Sequence, residues 1–173
     1  MNITQELNEH QTLLLLMPGQ RYNTAIVDTA KAISGKKTCY VTMNRTYDSL
    51  QELFVKHKAD IKNMTFVDLI TLAIRKPEEK PKNVQFYSPK SLNDAFAYIA
   101  SLLREGYDYL VFDSLTNLFS YKETDDVEQY IFILINKIRQ TKTKAVLYAL
   151  DEQETLIPRC CMFVDKAVHY EGT

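Results

Sequence analysis

The segment TLLLLM (Thr12 to Met17) is apolar from its second residue onward and does not alternate. A strand buried on one face alternates apolar and polar residues. An unbroken apolar run reads as a strand covered on both faces. TCYVTM (Thr38 to Met43), MTFVDLI (Met64 to Ile70), YLVFD (Tyr109 to Asp113) and KAVLYAL (Lys144 to Leu150) repeat the signature, with shorter pieces at VQFYS (Val84 to Ser88) and KAVHY (Lys166 to Tyr170). Between them apolar residues recur every three or four positions, as on one face of a helix. Such patterns occupy Thr24 to Ser34, Tyr47 to Lys58, Ser91 to Gly106 and Asp125 to Lys142. In the third, Ser91 or Asn93 is a candidate cap. The last has acids in its first turn and bases in its last, matching the helix dipole.

Apolar strands separated by helices imply βαβ units joined by right-handed crossovers. The expected fold is α/β: a three-layer α/β/α sandwich with a mainly parallel central sheet, as one domain over residues 1–173. The polar opening MNITQELNEHQ carries no assigned element. The charged, proline-punctuated RKPEEKPKN (Arg75 to Asn83) reads as a surface loop, and ETLIPRCCMFV as a short helical turn.

The charge balance narrows the partners. With 21 basic and 22 acidic residues, the chain lacks the positive excess of a nucleic-acid binder. Apolar runs such as Leu13 to Met17 are too short to cross a bilayer, and the N-terminus has no signal-peptide pattern. Three cysteines, Cys39, Cys160 and Cys161, make a poor disulfide framework, and with His10, His57 and His169 scattered there is no zinc-ligand spacing. A reducing cytoplasm is the expected location. The adjacent Cys160 and Cys161 read as packing residues, since free cysteine is commonly buried.

In a parallel sheet, ligands bind at the carboxyl ends of strands. After the first strand comes PGQRYNTAI (Pro18 to Ile26). A phosphate-binding loop of the form G-x-x-x-x-G-K-[ST] starting at Gly19 would need its second glycine, lysine and hydroxyl at Thr24, Ala25 and Ile26, and has none of them. A helix N-terminus still attracts anions. The residues placed to use it are Gly19, Gln20, Arg21, Asn23 and Thr24, with Asp113 at the end of a later strand. The competing reading is an ordinary strand-to-helix turn capped by Asn23 or Thr24, with Asp113 capping the segment SLTNLF. SGKKT (Ser34 to Thr38) precedes a strand instead of following one and is a decoy. Tyr22, Tyr47 and Tyr121 near loop ends could make an interaction surface, although packing is the favoured reading of each one taken singly. No G-x-G-x-x-G follows a strand, and no acid cluster follows the first strand, so Rossmann and phosphoacceptor-receiver sites are poor matches.

Together these residues resemble the RecA-like ATPases of the KaiC type, which are common in archaea. The likeness lies in the strand–PG–helix start, in TCYVTMNRTYDSLQELF, in MTFVDLI, and above all in VFDSLTNLF; KAVLYALDEQE and DKAVHYEGT resemble the family's late strands. It covers nearly the whole chain. It implies a RecA-type core that acts as an ATPase and assembles in rings. The departures are the lysine and hydroxyl after Gly19 and the glutamate after the second strand, where Asn44, Arg45 and Thr46 stand. Asn and Arg cannot take a proton from water at neutral pH. The expectation is therefore a chain with no catalytic residues, no metal ligands and no required cofactor, a pseudo-ATPase working by contact with protein partners or by self-association as a dimer or ring. The alternative is a non-hydrolysing binder of ATP, another nucleotide or a phosphate ligand, using a vestigial site at Gly19, Gln20, Arg21, Asn23, Thr24 and Asp113. Neither reading asks for nucleic acid or membrane insertion.

Overall fold

The computed structural model describes residues 2–118, 124–151 and 156–171. The strands are β1 (Thr12–Met17), β2 (Thr38–Thr42), β3 (Met64–Asp68), β4 (Val84–Phe86), β5 (Tyr109–Asp113), β6 (Lys144–Leu150) and β7 (Lys166–His169). They form one seven-stranded sheet in the order β4-β3-β2-β5-β6-β1-β7, and every pairing is parallel. The expected three-layer sandwich is the observed architecture.

The helices follow the predicted periodicities: α2 (Tyr22–Ala32), α3 (Tyr47–Lys56), α5 (Leu92–Leu102) and α7 (Thr124–Arg139), with short α4 (Thr71–Ile74), α6 (Leu115–Leu118) and α8 (Leu156–Cys160). Local sequence sets several of these helix boundaries. Thr46 caps α3 by accepting from the Ser49 N–H, and Ser91, not Asn93, caps α5 through the Asp94 N–H. Beyond α2, Gly35 takes a left-handed φ of 78°, the conformation glycine adopts at least cost. One helix has no counterpart in the pattern analysis. The polar opening holds α1 (Ile3–Glu9), capped by Asn2, with only Ile3 and Leu7 buried. Two apolar residues in seven are too few to announce a helix.

Chain direction divides the helices between the faces. Connections running from β1 towards β4 carry α2 and α3 over one face; those running back towards β7 carry α5, α7 and α8 over the other, as right-handed crossovers demand. Alternate strand residues feed two cores. Leu13, Leu15, Met17, Tyr40, Val111 and Tyr148 pack beneath α1, α2 and α3. Leu14, Leu16, Val41, Phe112, Leu147 and Ala149 pack beneath α5 and α7. Fully burying such side chains contributes on the order of 2 kcal/mol each. Adjacent strands whose helices leave towards opposite faces open a crevice at their carboxyl ends. Here those pairs are β1 with β6 and β2 with β5, so the crevice lies where β1 meets α2 and where β5 ends in Asp113.

Candidate functional site

At the crevice, β1 passes through Pro18 into a single 3-10 turn, Gly19–Arg21, that runs without a break into α2. The Arg21 N–H donates to the Pro18 carbonyl at 2.9 Å, and the Tyr22 N–H donates to the Gly19 carbonyl. Two of the loop's amides are thereby committed to its own backbone, whereas an anion nest turns such groups outward. Gly19, Gln20, Arg21, Asn23 and Thr24 are exposed, and Tyr22 among them is buried. Ala25 and Ile26 are fully buried against the sheet.

Two capping expectations are corrected. The helix begins at Tyr22 with Arg21 as its N-cap and no side-chain cap bond, so neither Asn23 nor Thr24 caps it. The 3-10 turn supplies backbone acceptors for the first amides, and Asn23 is engaged elsewhere: its Oδ1 accepts from the Arg45 guanidinium. That guanidinium also lies 5.8 Å from the centre of the Tyr22 ring. Nor does Asp113 cap α6. The strand's alternation puts residue 113 on the α2 face, while α6 buries Leu115 and Leu118 in the opposite core. The turn into α6 is closed by Ser114, whose carbonyl accepts from the Asn117 N–H at 3.2 Å.

Asp113 lies fully buried beneath this loop in a group of phenols. Its Oδ2 accepts a 2.7 Å hydrogen bond from the Tyr40 hydroxyl, and its Oδ1 has no partner among the described residues. The buried hydroxyls of Tyr22 and Tyr148 also lack partners there, and the two rings meet edge to face with centres 6.4 Å apart. Register explains the grouping. Thr42 pairs with Asp113, and Phe112 with Leu147, so Tyr40, Asp113 and Tyr148 come from three neighbouring strands onto one face. Burial pushes the Asp113 carboxyl well above its ordinary range. The Tyr40 phenol is also pushed well up, by burial first and by Tyr148 second, with Arg45 acting the other way. Tyr148 is raised by burial; the Thr29 hydroxyl opposes that shift and Asp113 adds to it. Thr29 itself donates to the Ala25 carbonyl at 2.9 Å. Burial thus disfavours the ionised form of Asp113, and its one side-chain partner, Tyr40, is itself held towards its neutral form.

Beside it, Asp68 at the end of β3 is a buried hub that the pattern analysis did not single out. Its Oδ2 accepts from the Tyr47 N–H at 2.7 Å and the Thr71 hydroxyl at 2.6 Å; its Oδ1 accepts from the Ile70 and Thr71 N–H groups at 2.8 and 2.7 Å. One carboxyl fixes the starts of α3 and α4. The β2–α3 turn is organised similarly by Thr42, whose hydroxyl donates to the Arg45 carbonyl at 2.6 Å and so sets where Arg45 leaves the chain. In the sequence Asp68 stood out only as part of MTFVDLI, one of the segments that carry the resemblance; nothing in the sequence pairs Tyr40 with Asp113.

The tyrosine surface suggested by the sequence does not form: Tyr22 and Tyr47 are core residues, 7% and 2% exposed, and Tyr121 lies outside the described residues. Among the described residues no group of three or more His, Cys, Asp or Glu is placed to hold a metal ion, and no helix is long and apolar enough to cross a membrane. All three cysteines are free. Burial pushes Cys39 and Cys160 each up to about 12, while Cys161 is half-buried. A thiol reacts as its thiolate. Titration of the native protein with a chromogenic disulfide at pH 8 is therefore expected to modify Cys161 alone, with Cys39 and Cys160 reacting only after denaturation.

The parallel seven-stranded sheet, with its first strand beside β6 and helices on both faces, defines a RecA-like α/β fold. Among solved structures, a KaiC-like protein of the hyperthermophilic archaeon Pyrococcus horikoshii shares it with a TM-score of 0.67, over 92% of this chain and 70% of the other, at 13% sequence identity. No protein-family model matches the sequence, and no curated protein does. At that identity the likeness speaks for a shared fold.

Proposed function

We propose that this chain is a catalytically inactive RecA/KaiC-like domain, a pseudo-ATPase that acts as a regulatory or structural protein-interaction module. The observation that carries the reading is the closed β1–α2 turn. A magnesium nucleotide does not fit these residues. The turn spends its Arg21 and Tyr22 amides on its own backbone, Arg45 is tied to Asn23 over the buried Tyr22, and Ala25 and Ile26 offer neither ammonium nor hydroxyl. Asp113, the one acid in place, is buried where its ionised form, the form a metal needs, is disfavoured. Phosphoryl transfer depends on electrostatic stabilisation that this arrangement lacks. Three free thiols suit a reducing cytoplasm.

The test is phosphate release from ATP together with thermal unfolding at saturating Mg-ATP. The expected result is no turnover above a heat-treated control and a shift in Tm under about 1 °C, since a ligand at 100 times its Kd would stabilise by about 2.7 kcal/mol. Phosphate release that stops in Asp113→Ala overturns the proposal. Saturable micromolar binding of ATP, ADP or a cyclic nucleotide without turnover, lost in Arg21→Ala, replaces it with the non-hydrolysing binder.

A further inference from the structure

Three buried side-chain oxygens find no hydrogen-bond partner among the described residues: the hydroxyls of Tyr22 and Tyr148, and Oδ1 of Asp113. They come from α2, β6 and β5, yet they belong to one group. Asp113 and Tyr148 stand side by side, one step beyond the paired Phe112 and Leu147. Tyr22 reaches over both. Its ring centre is 6.4 Å from that of Tyr148 on β6 and 5.8 Å from the Arg45 guanidinium, which leaves the chain just past β2. Between β6 and β2 runs β5, and β5 ends in Asp113. The hydroxyl protons around the group are already spent. Tyr40 donates to Asp113 Oδ2 at 2.7 Å, and Thr29, beside Tyr148, donates to the Ala25 carbonyl at 2.9 Å. A buried oxygen left unpaired costs free energy, and in folded proteins most are satisfied by protein or by ordered water. Three scattered atoms of this kind would need no common explanation; three in one group do.

We propose that this group is the binding site of one internal water molecule, which bridges Asp113 Oδ1 to the hydroxyls of Tyr22 and Tyr148. Internal waters typically make about three hydrogen bonds to buried polar groups that the protein leaves unpaired. Water both donates and accepts, so one molecule pairs with two hydroxyls and with a carboxyl oxygen in either protonation state. The consequence reaches the loop above. Tyr22 opens α2, and its N–H closes the β1–α2 turn by donating to the Gly19 carbonyl. A water that ties the Tyr22 hydroxyl to the end of β5 holds that residue down and the turn shut. The site goes beyond the pseudo-ATPase reading, since it depends on three buried oxygens and not on the residues missing from the loop.

Oxygen-17 relaxation dispersion of the solvent counts the waters a protein holds inside it, and urea denaturation gives the matching stabilities. Tyr22→Phe and Tyr148→Phe each remove a hydroxyl and keep the ring. Each is expected to raise the unfolding constant by about 5- to 10-fold, the loss of one net hydrogen bond. In the double variant the two losses should fall short of their sum, because both hydroxyls share one water. The same variant leaves the water a single partner, so its count of internal waters should drop by one. Tyr170→Phe is the control: that hydroxyl donates directly to Asp28 at 2.5 Å, so its removal should cost stability and leave the count unchanged. A gain of stability in Tyr22→Phe or Tyr148→Phe, the sign of a dry unpaired hydroxyl, overturns the proposal. An unchanged count in the double variant overturns it as well. Should the double variant fail to fold by circular dichroism, the sign of the two single changes decides. Phosphate release from ATP is indifferent to this water, so the site and the pseudo-ATPase reading fail separately.

Discussion

Asp113→Asn is expected to gain stability over the wild type as pH rises above the ordinary carboxylate range. In the fold, burial holds the carboxyl well above its ordinary range, and its one hydrogen bond comes from Tyr40. In the unfolded chain it ionises near pH 4. Native protein thus binds a proton that unfolded protein has released. The favourable contribution of the neutral acid is complete below the unfolded value and is lost as pH rises through the native one, by up to about 1.4 kcal/mol per pH unit. Asparagine matches the shape of the protonated acid and does not titrate. Urea denaturation from pH 4 to 9 should show wild-type stability falling relative to the variant across that window. Parallel curves would mean that Asp113 is ionised in the fold and neutralised by a cation, the condition of a working metal-binding acid, and the proposed function would lose its second support.

Asp68→Ala should have the opposite sign and a larger size. The carboxyl accepts four hydrogen bonds in the interior, three of them from backbone amides at helix starts. Removing it strands buried donors, each worth about 1–3 kcal/mol, so a net loss of about 3–5 kcal/mol is expected. For a chain of this length that lowers Tm by roughly 10 °C. Asp68→Asn keeps an acceptor and should fall between. Hydrogen exchange at the Tyr47 and Thr71 amides reports the local consequence, which is faster exchange at both in the alanine variant. A loss under about 1 kcal/mol would show that water satisfies these donors and that Asp68 is not the hub described.

Much of this architecture was legible in advance. Leu13 to Met17 and Tyr109 to Asp113 are apolar because both sheet faces are covered, and period-2 and period-3.6 patterns are local properties that survive in the sequence. The lack of a lysine and a hydroxyl at Ala25 and Ile26 was legible too, because it needs no geometry to notice. What failed did so for definable reasons. The cap of α2 was misassigned because a 3-10 turn competes with side-chain capping, and the choice between them depends on Arg45, 22 residues away from Asn23. Tyr22 and Tyr47 resembled a surface because both flank loops; only the register of the sheet beneath shows that they point inward. Helix α1 was missed because its helicity rests on docking two side chains, Ile3 and Leu7, and not on its own pattern.

By itself the sequence determined the fold class, the order of the strands and the four long helices, and the absence of an ammonium and a hydroxyl at the head of α2. All of these follow from which residue types stand at which spacing along one segment. The tertiary structure alone decided that the Arg21 and Tyr22 amides bond within the β1–α2 turn, that Asp113 is buried with Tyr40 and Tyr148, and that Asp68 ties two helix starts together. Each of those outcomes depends on groups from separate strands meeting at the sheet's carboxyl edge. The protonation of a carboxyl is set by the neighbours and water that meeting leaves it, which no local pattern encodes.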